Sequence, residues 1–222
     1  MPQSYVILAI LGFAALLGMI WAVSLMLERK RREELAARAL EMGLHFAGDA
    51  PGFVEAAPPF KLFGRGRGRK ARNVLTGSQS GVEIALADYQ YTTSSGKNSH
   101  THRQTICLLT ARGTALPQSF LRREGAVLDA IGQKLGGQDI DFPEDPDFSK
   151  AFVLQGENPE VTRRLFGAAV RMHLMRSAGT RIELEARGDA LVLHRGVRAK
   201  PDELRELLQL ATETFRLLRQ SV

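Results

Sequence analysis

One stretch constrains everything else in this chain. It runs from Tyr5 to Leu27, YVILAILGFAALLGMIWAVSLML, without a single charged residue. As a helix rising 1.5 Å per residue it reaches about 34 Å, enough to cross a hydrocarbon core of about 30 Å. Backbone polar groups in lipid need internal partners, and a helix supplies them. Gly12 and Gly18 would weaken a soluble helix but are ordinary in a membrane one. Tyr5 at one end, and Trp21 nearly two turns inside the other, are amphipathic rings suited to the interfaces, and Leu27 closes the run. A cleaved signal peptide would show a basic start, a shorter apolar core and small residues at a cleavage site. Here the first charged residue is Glu28, the run is long, and no A-x-A-like site follows it. The stretch therefore reads as a retained span.

The flanks orient it. No basic side chain precedes the span, whereas Arg29, Lys30, Arg31 and Arg32 follow it beside Glu28. The positive-inside rule then places the body of the chain in the cytoplasm, with the N-terminus outside. A single cysteine, Cys107, agrees with a reducing compartment and reads as a buried core thiol.

The net charge of +6 lies wholly outside the span. A basic domain held at a cytoplasmic leaflet faces anionic headgroups, each nearby Lys or Arg being worth about 1 kcal/mol. Nucleic acid is the other usual partner of such charge, and tethering disfavours it. The expected organisation is an anchor over 1–27, a juxtamembrane helix and linker over 28–59, and a soluble domain over 60–222, either one body or two halves, 60–147 and 148–222. Leu35, Ala39, Met42 and Phe46 recur at helical spacing after the span, on a stalk or on a helix packed against the domain. Residues 48–59, GDAPGFVEAAPP, read as a linker.

Further along, Phe60 to Phe63 reads as a short strand, and 65–72 as a glycine-punctuated basic loop. Val82, Ile84 and Leu86 alternate with smaller or polar neighbours as in a half-buried strand. Residues 104–111, QTICLLTA, are apolar on both faces, as a central strand would be. TTSSGKNSHTH between them reads as a polar hairpin loop, and Leu116–Phe120 as a further strand. Helices are expected over about 124–135, 158–176 and 201–219, and a strand over 151–154. RIELEAR-GD-ALVLHR carries a tight-hairpin signature. Its pairing sets Ile182, Leu184 and Ala186 with Leu191 and Leu193 on one face, and Glu183 opposite His194 on the other. The order predicts an α+β fold: a mostly antiparallel sheet with about three helices on one face.

Several stretches are similar to a loosely defined group of bacterial single-pass membrane proteins. They are Asp88-Tyr89-Gln90-Tyr91-Thr92 with Gln104-Thr105, Leu116-Pro117-Gln118-Ser119-Phe120 with Glu124, Gln138 to Phe142 with Phe148-Ser149, and Leu165-Phe166. The resemblance implies an N-terminal membrane helix and a soluble domain of unassigned activity. It offers no catalytic residues.

The candidate sites are few. Arg65, Arg67, Arg69, Lys70 and Arg72 form an anion-binding candidate, because glycines between arginines let backbone N–H groups approach an anion. The alternatives are a solvated loop, or one neutralised by the acidic stretch Asp139, Asp141, Glu144, Asp145 and Asp147. That acidic stretch lacks the EF-hand order of ligands. His100 and His102 would share one strand face, but zinc needs two further ligands. Asp88, Tyr89 and Tyr91 end a strand and form a pocket candidate. No cofactor is implied. The expected function is a membrane-tethered cytosolic adaptor or assembly domain without catalysis, partnered by the lipid bilayer and by another membrane or cytosolic protein. The alternatives are an anionic-lipid-binding module using Arg65 to Arg72, or a membrane-bound metal-assisted hydrolase using the histidine loop or the acidic stretch.

Overall fold

The structure is a computed structural model and describes residues 3–96, 98–125 and 139–222. The helix expected over 124–135 lies almost wholly outside the described residues. One helix, α1 (Gln3–Glu41), contains the whole apolar run and continues through the basic collar without a break. Its apolar part makes a membrane-length segment of mean hydropathy 2.3, none of it buried by the protein. Strand β1 (His45–Gly48) follows, then the short helices α2 (Phe53–Ala56) and α3 (Lys61–Gly64). Strands β2 (Arg67–Gln79), β3 (Val82–Ser95), β4 (Asn98–Thr110) and β5 (Leu116–Arg123) come next. After them run α4 (Pro146–Ala151), β6 (Phe152–Gly156), α5 (Pro159–Leu165), α6 (Ala168–Met175), β7 (Glu183–Gly188), β8 (Ala190–His194) and α7 (Leu204–Gln220).

The strands form an eight-stranded sheet in the order β1-β2-β3-β4-β8-β7-β5-β6, and the pairs are antiparallel. This is the expected α+β class. β8 inserts beside β4, and β5 lies between β7 and β6, so residues from before and after position 147 build one sheet. The hairpin register is the expected one, with Glu183 opposite His194 and Leu184 opposite Leu193.

The sheet buries both faces. On one, Leu86, Cys107, Leu109, Leu184 and Leu193 pack against Leu207, Ala211, Phe215 and Leu218 of α7. Leu35 and Ala39 of α1 join the same core. The end of α1 thus belongs to the folded body, as does β1, which pairs with β2 from within the stretch assigned to stalk and linker. The other face carries Tyr89, Tyr91, Ile106, Leu108 and Val192, and residues from 50 to 63 cover it. This second layer departs from the expectation of helices on one face only. Its cause is that β3, β4 and β8 are apolar on both sides.

Three local expectations change. Residues 61–64 form a helical turn, because the buried Glu185 carboxylate accepts the N–H groups of Lys61 and Leu62 at 2.7 and 2.8 Å. The stretch 158–176 is two helices, parted at Phe166-Gly167. The polar segment 92–102 is largely strand, since β3 and β4 stay paired from Glu83↔Thr110 out to Ser95↔Asn98.

Candidate functional site

The most heavily committed polar group in the described structure is Asp88, which lies on the α1 face of β3. Arg31 of α1 donates to both its oxygens, Nε at 2.9 Å and Nη2 at 2.7 Å. Asn73, Thr105 and Arg198 donate at 2.9, 2.9 and 3.0 Å. Burial pushes the Asp88 carboxyl up, but the bonds from Arg31 and Asn73 and the charges of Arg31 and Arg198 outweigh it and hold the group below its usual range. Arg198 also grips Glu28, its two Nη groups donating to the two carboxylate oxygens at 2.7 and 2.9 Å. The bond from Arg198, against the pull of burial, brings Glu28 below its usual range. Arg31 caps the arrangement with a bond to the Ala199 carbonyl at 3.0 Å. Glu28 is the first residue past the apolar run, so this lattice fixes the point where the span meets the domain.

Below Asp88 on the same sheet face a cleft of about 390 Å³ opens beside Ser24, Leu27 and Glu28 of α1, with Arg72, Gln90, Arg103 and Arg198 around it. The far end of the sheet is marked by Gly77 against Leu44 and by Gln79 bonding the Met42 carbonyl at 3.4 Å. The ends of β2, β3 and β4 carrying Arg72, Gln90 and Arg103 are therefore those nearest the span.

The basic run is strand from Arg67 on, not a mobile loop, and the strand divides it. Arg65 turns to the second sheet face and pairs with Glu183 at 3.6 Å. Arg69 bonds the Phe63 carbonyl at 2.6 Å. Lys70 and Arg72 stand opposite Gln90 and Asp88 in the register, on the α1 face, and with Arg67 they are exposed. The acidic stretch does not neutralise them. Asp145 caps α4 through the Phe148 N–H and pairs with Arg171 at 2.8 Å, and Asp139 accepts from Gln155.

Asp88 and Tyr89 both line the cleft and Tyr91 does not; the Tyr89 and Tyr91 rings pack on the sheet face opposite the Asp88 carboxylate, because neighbouring strand residues alternate faces. Tyr89 bonds the Leu62 carbonyl at 3.2 Å and meets Phe63 edge-on at 5.3 Å. Tyr91 stacks on His102 at 4.7 Å. Of the collar, Arg31 holds Asp88 and Arg32 pairs with Asp49 at 2.6 Å. Lys30 stands 3.8 Å from Glu34, and Arg29 is exposed. Trp21 and Leu27 are exposed on α1, which also contains Tyr5. His100 and His102 meet edge to face at 4.6 Å, and the His102 ring lies 3.0 Å from the Thr93 hydroxyl. Among the described residues no three His, Cys, Asp or Glu side chains converge as metal ligands.

A second ionic cluster sits on the opposite sheet face. Glu183 accepts two bonds from Arg181, at 3.0 and 2.5 Å, and lies 3.9 Å from His194. Burial depresses His194 to about 4, so its ring is neutral at pH 7. Its Nδ1 accepts the Gly196 N–H at 3.1 Å, which leaves the proton on Nε2. Burial pushes Glu185 above its usual range, only partly offset by the Leu62 and Lys61 N–H groups.

Sequence reasoning did not find Glu28, Asn73, Arg103, Thr105 or Arg198 as a group. Asn73 had one signal in principle. It adopts φ 50 at the irregularity between Arg72 and Leu75, a conformation Asn tolerates better than most residues.

Fold and site together define a class: an antiparallel α+β domain joined rigidly to one membrane-length helix. No family model matches the chain, and no curated protein sequence does. Among solved structures, the crystal structure of the mycobacterial trehalose monomycolate transport factor A, TtfA, is similar in fold. Its TM-score is 0.64 at 12% identity, over 87% of this chain and 94% of that one.

Proposed function

We propose that this chain is a non-catalytic adaptor of the bacterial inner membrane, holding its α+β domain in a fixed pose on the cytoplasmic surface for another membrane or cytosolic protein. The observation that carries this reading is the Glu28–Arg198–Asp88–Arg31 lattice. A domain that only needed tethering would tolerate a loose linker, whereas here the span runs without a break into a helix bolted to the sheet. The name of TtfA describes a transport factor, which supports a place beside a membrane transport process. The basic collar supports the cytoplasmic orientation. The group of single-pass bacterial membrane proteins that the chain resembles fits the same reading.

Orientation is tested by cysteine labelling. Cys107 is fully buried, so an added cysteine is the reactive one. Ser221→Cys should react with a membrane-impermeant maleimide in inverted vesicles and not in intact spheroplasts; the reverse pattern overturns the proposal. The adaptor role predicts a partner that survives gentle solubilisation and is lost when Arg31→Ala frees α1. Recovering the same partner, at the same yield, from a variant whose α1 is demonstrably loose would remove the argument from rigidity.

A further inference from the structure

We propose that the cleft between the end of the span and the sheet is a binding site for the headgroup of an anionic phospholipid. The inference rests on the membrane-spanning reading of α1. Three observations converge.

The first is position. Ser24 and Leu27, in the last turn of the apolar run, form one wall of the cleft. A span of this length ends at the headgroup layer, so the cleft opens at that depth.

The second is charge. The carboxylates in the cleft, Asp88 and Glu28, are matched by Arg31 and Arg198. That leaves Arg72 and Arg103, both exposed, making no hydrogen bond or ion pair with another described residue. Two uncommitted guanidinium groups over one cleft suit a phosphate, which accepts their paired N–H donors. Lys70, opposite Gln90 in the register, stands on the same sheet face as Gln90 and Arg103.

The third is rigidity. Arg72 and Arg103 stand on neighbours of β3, the strand whose Asp88 fixes α1, so the lattice that holds the span also holds the cleft walls. A preformed site loses less ordering entropy on binding than a mobile basic loop would.

The acyl chains of the bound lipid would lie along the exposed apolar surface of α1, where Val23, Leu25 and Met26 are open. This favours a lipid over a free phosphate ester, which has no use for that surface.

The test uses the full chain in a neutral detergent, titrated with phosphatidylglycerol or phosphatidylcholine, with bound lipid counted by native mass spectrometry. Phosphatidylglycerol should be preferred. Arg72→Gln with Arg103→Gln should weaken its binding about thirtyfold, at about 1 kcal/mol per cation. Arg72→Lys with Arg103→Lys should keep most of it. The same loss of charge at Arg112 and Arg164, away from the cleft, should change it little. Equal binding by the double glutamine variant and the parent overturns the site, as does equal loss in the Arg112/Arg164 control. Glycerol phosphate competing as well as the lipid would reassign the cleft to a soluble anion and overturn the lipid assignment. A protein that is correctly oriented in the membrane yet shows no preference for the anionic lipid loses this inference alone, and the adaptor reading stands.

Discussion

Arg31 and Asp88, 57 positions apart in sequence, meet through two hydrogen bonds of 2.9 and 2.7 Å where the span enters the domain. Both are largely buried, and the pair is completed by Arg198, Asn73 and Thr105. Breaking one side of a buried ion pair leaves the other charge without compensation. Asp88→Asn keeps the shape and removes the charge, stranding Arg31, whereas Arg198 keeps Glu28. We expect a loss of about 3 kcal/mol in stability, read by chemical denaturation in detergent. Proteolysis near residues 28–34 should rise with it. A stability change within experimental error would show that the lattice does not hold α1 to the sheet.

His194 predicts a pH dependence of definite sign. Its folded value is depressed from 6.5 to about 4 by burial. A depressed histidine contributes stability that is fully present above the unfolded value and is lost as pH falls toward the folded one. His194 should therefore contribute a decline from about pH 6.5 toward pH 4, by an amount on the order of 3 kcal/mol, opposed in the upper part of that range by Glu185, whose raised value has the opposite sign. Asp88 and Glu183 are also held below their usual range, and their losses belong to lower pH, as each falls through its own folded value. His194→Gln should flatten the decline between pH 6.5 and 4 in a series of thermal melts. An unchanged slope would show that another group carries it.

What was legible in the sequence followed from local period. The α7 stripe of Leu204, Leu207, Leu208, Ala211, Phe215 and Leu218 is fixed by the helix repeat, and all six are buried. The β7–β8 register is fixed by the tight Gly188-Asp189 turn. What was hidden depends on partners far along the chain. The Lys61 turn needs Glu185, 124 positions away, and Glu28 needs Arg198, 170 positions away. Charge alone did not say which arginines of the 65–72 run turn inward. Only pairing with β3 separates Arg65, held by Glu183, from Arg72 at the cleft. β1 escaped notice because a four-residue edge strand carries too few alternations to stand out from a linker.

Gly156 ends β6 directly against α5. A Cβ there would fall on the Thr162 hydroxyl, with the Thr162 Cβ and methyl carbon also within 3 Å. Thr162 is fully buried and its hydroxyl has no partner among the described residues, so the crowding has no nearby slack. Gly156→Ala should cost about 2 kcal/mol, in the range for overpacking. Adding Thr162→Ala removes the colliding atoms and should return most of that loss. A double-mutant cycle showing simple additivity would mean the two positions do not share the space.

Gly66 tests how Arg65 is seated. It has φ +59, and a Cβ there would strike the Thr92 carbonyl, with the Tyr91 ring 3.2 Å away. Both obstacles are firm: one is backbone in the β2–β3 ladder and the other is a buried ring. The residue next to Gly66 is Arg65, whose guanidinium reaches Glu183 at 3.6 Å and lies 5.9 Å from the centre of the Phe120 ring. Alanine at 66 has to push β2 off β3 or leave the left-handed region, and either movement withdraws Arg65 from Glu183. Glu183 keeps Arg181, so the cluster should weaken rather than collapse. The expected result of Gly66→Ala is a loss of about 2 kcal/mol, most of it from backbone strain and collision. Arg65→Gln should give a smaller loss, because it removes the ion pair and leaves the backbone in place. If Arg65→Gln proves the more damaging of the two, the ion pair and not the close approach at Gly66 sets the stability of this corner.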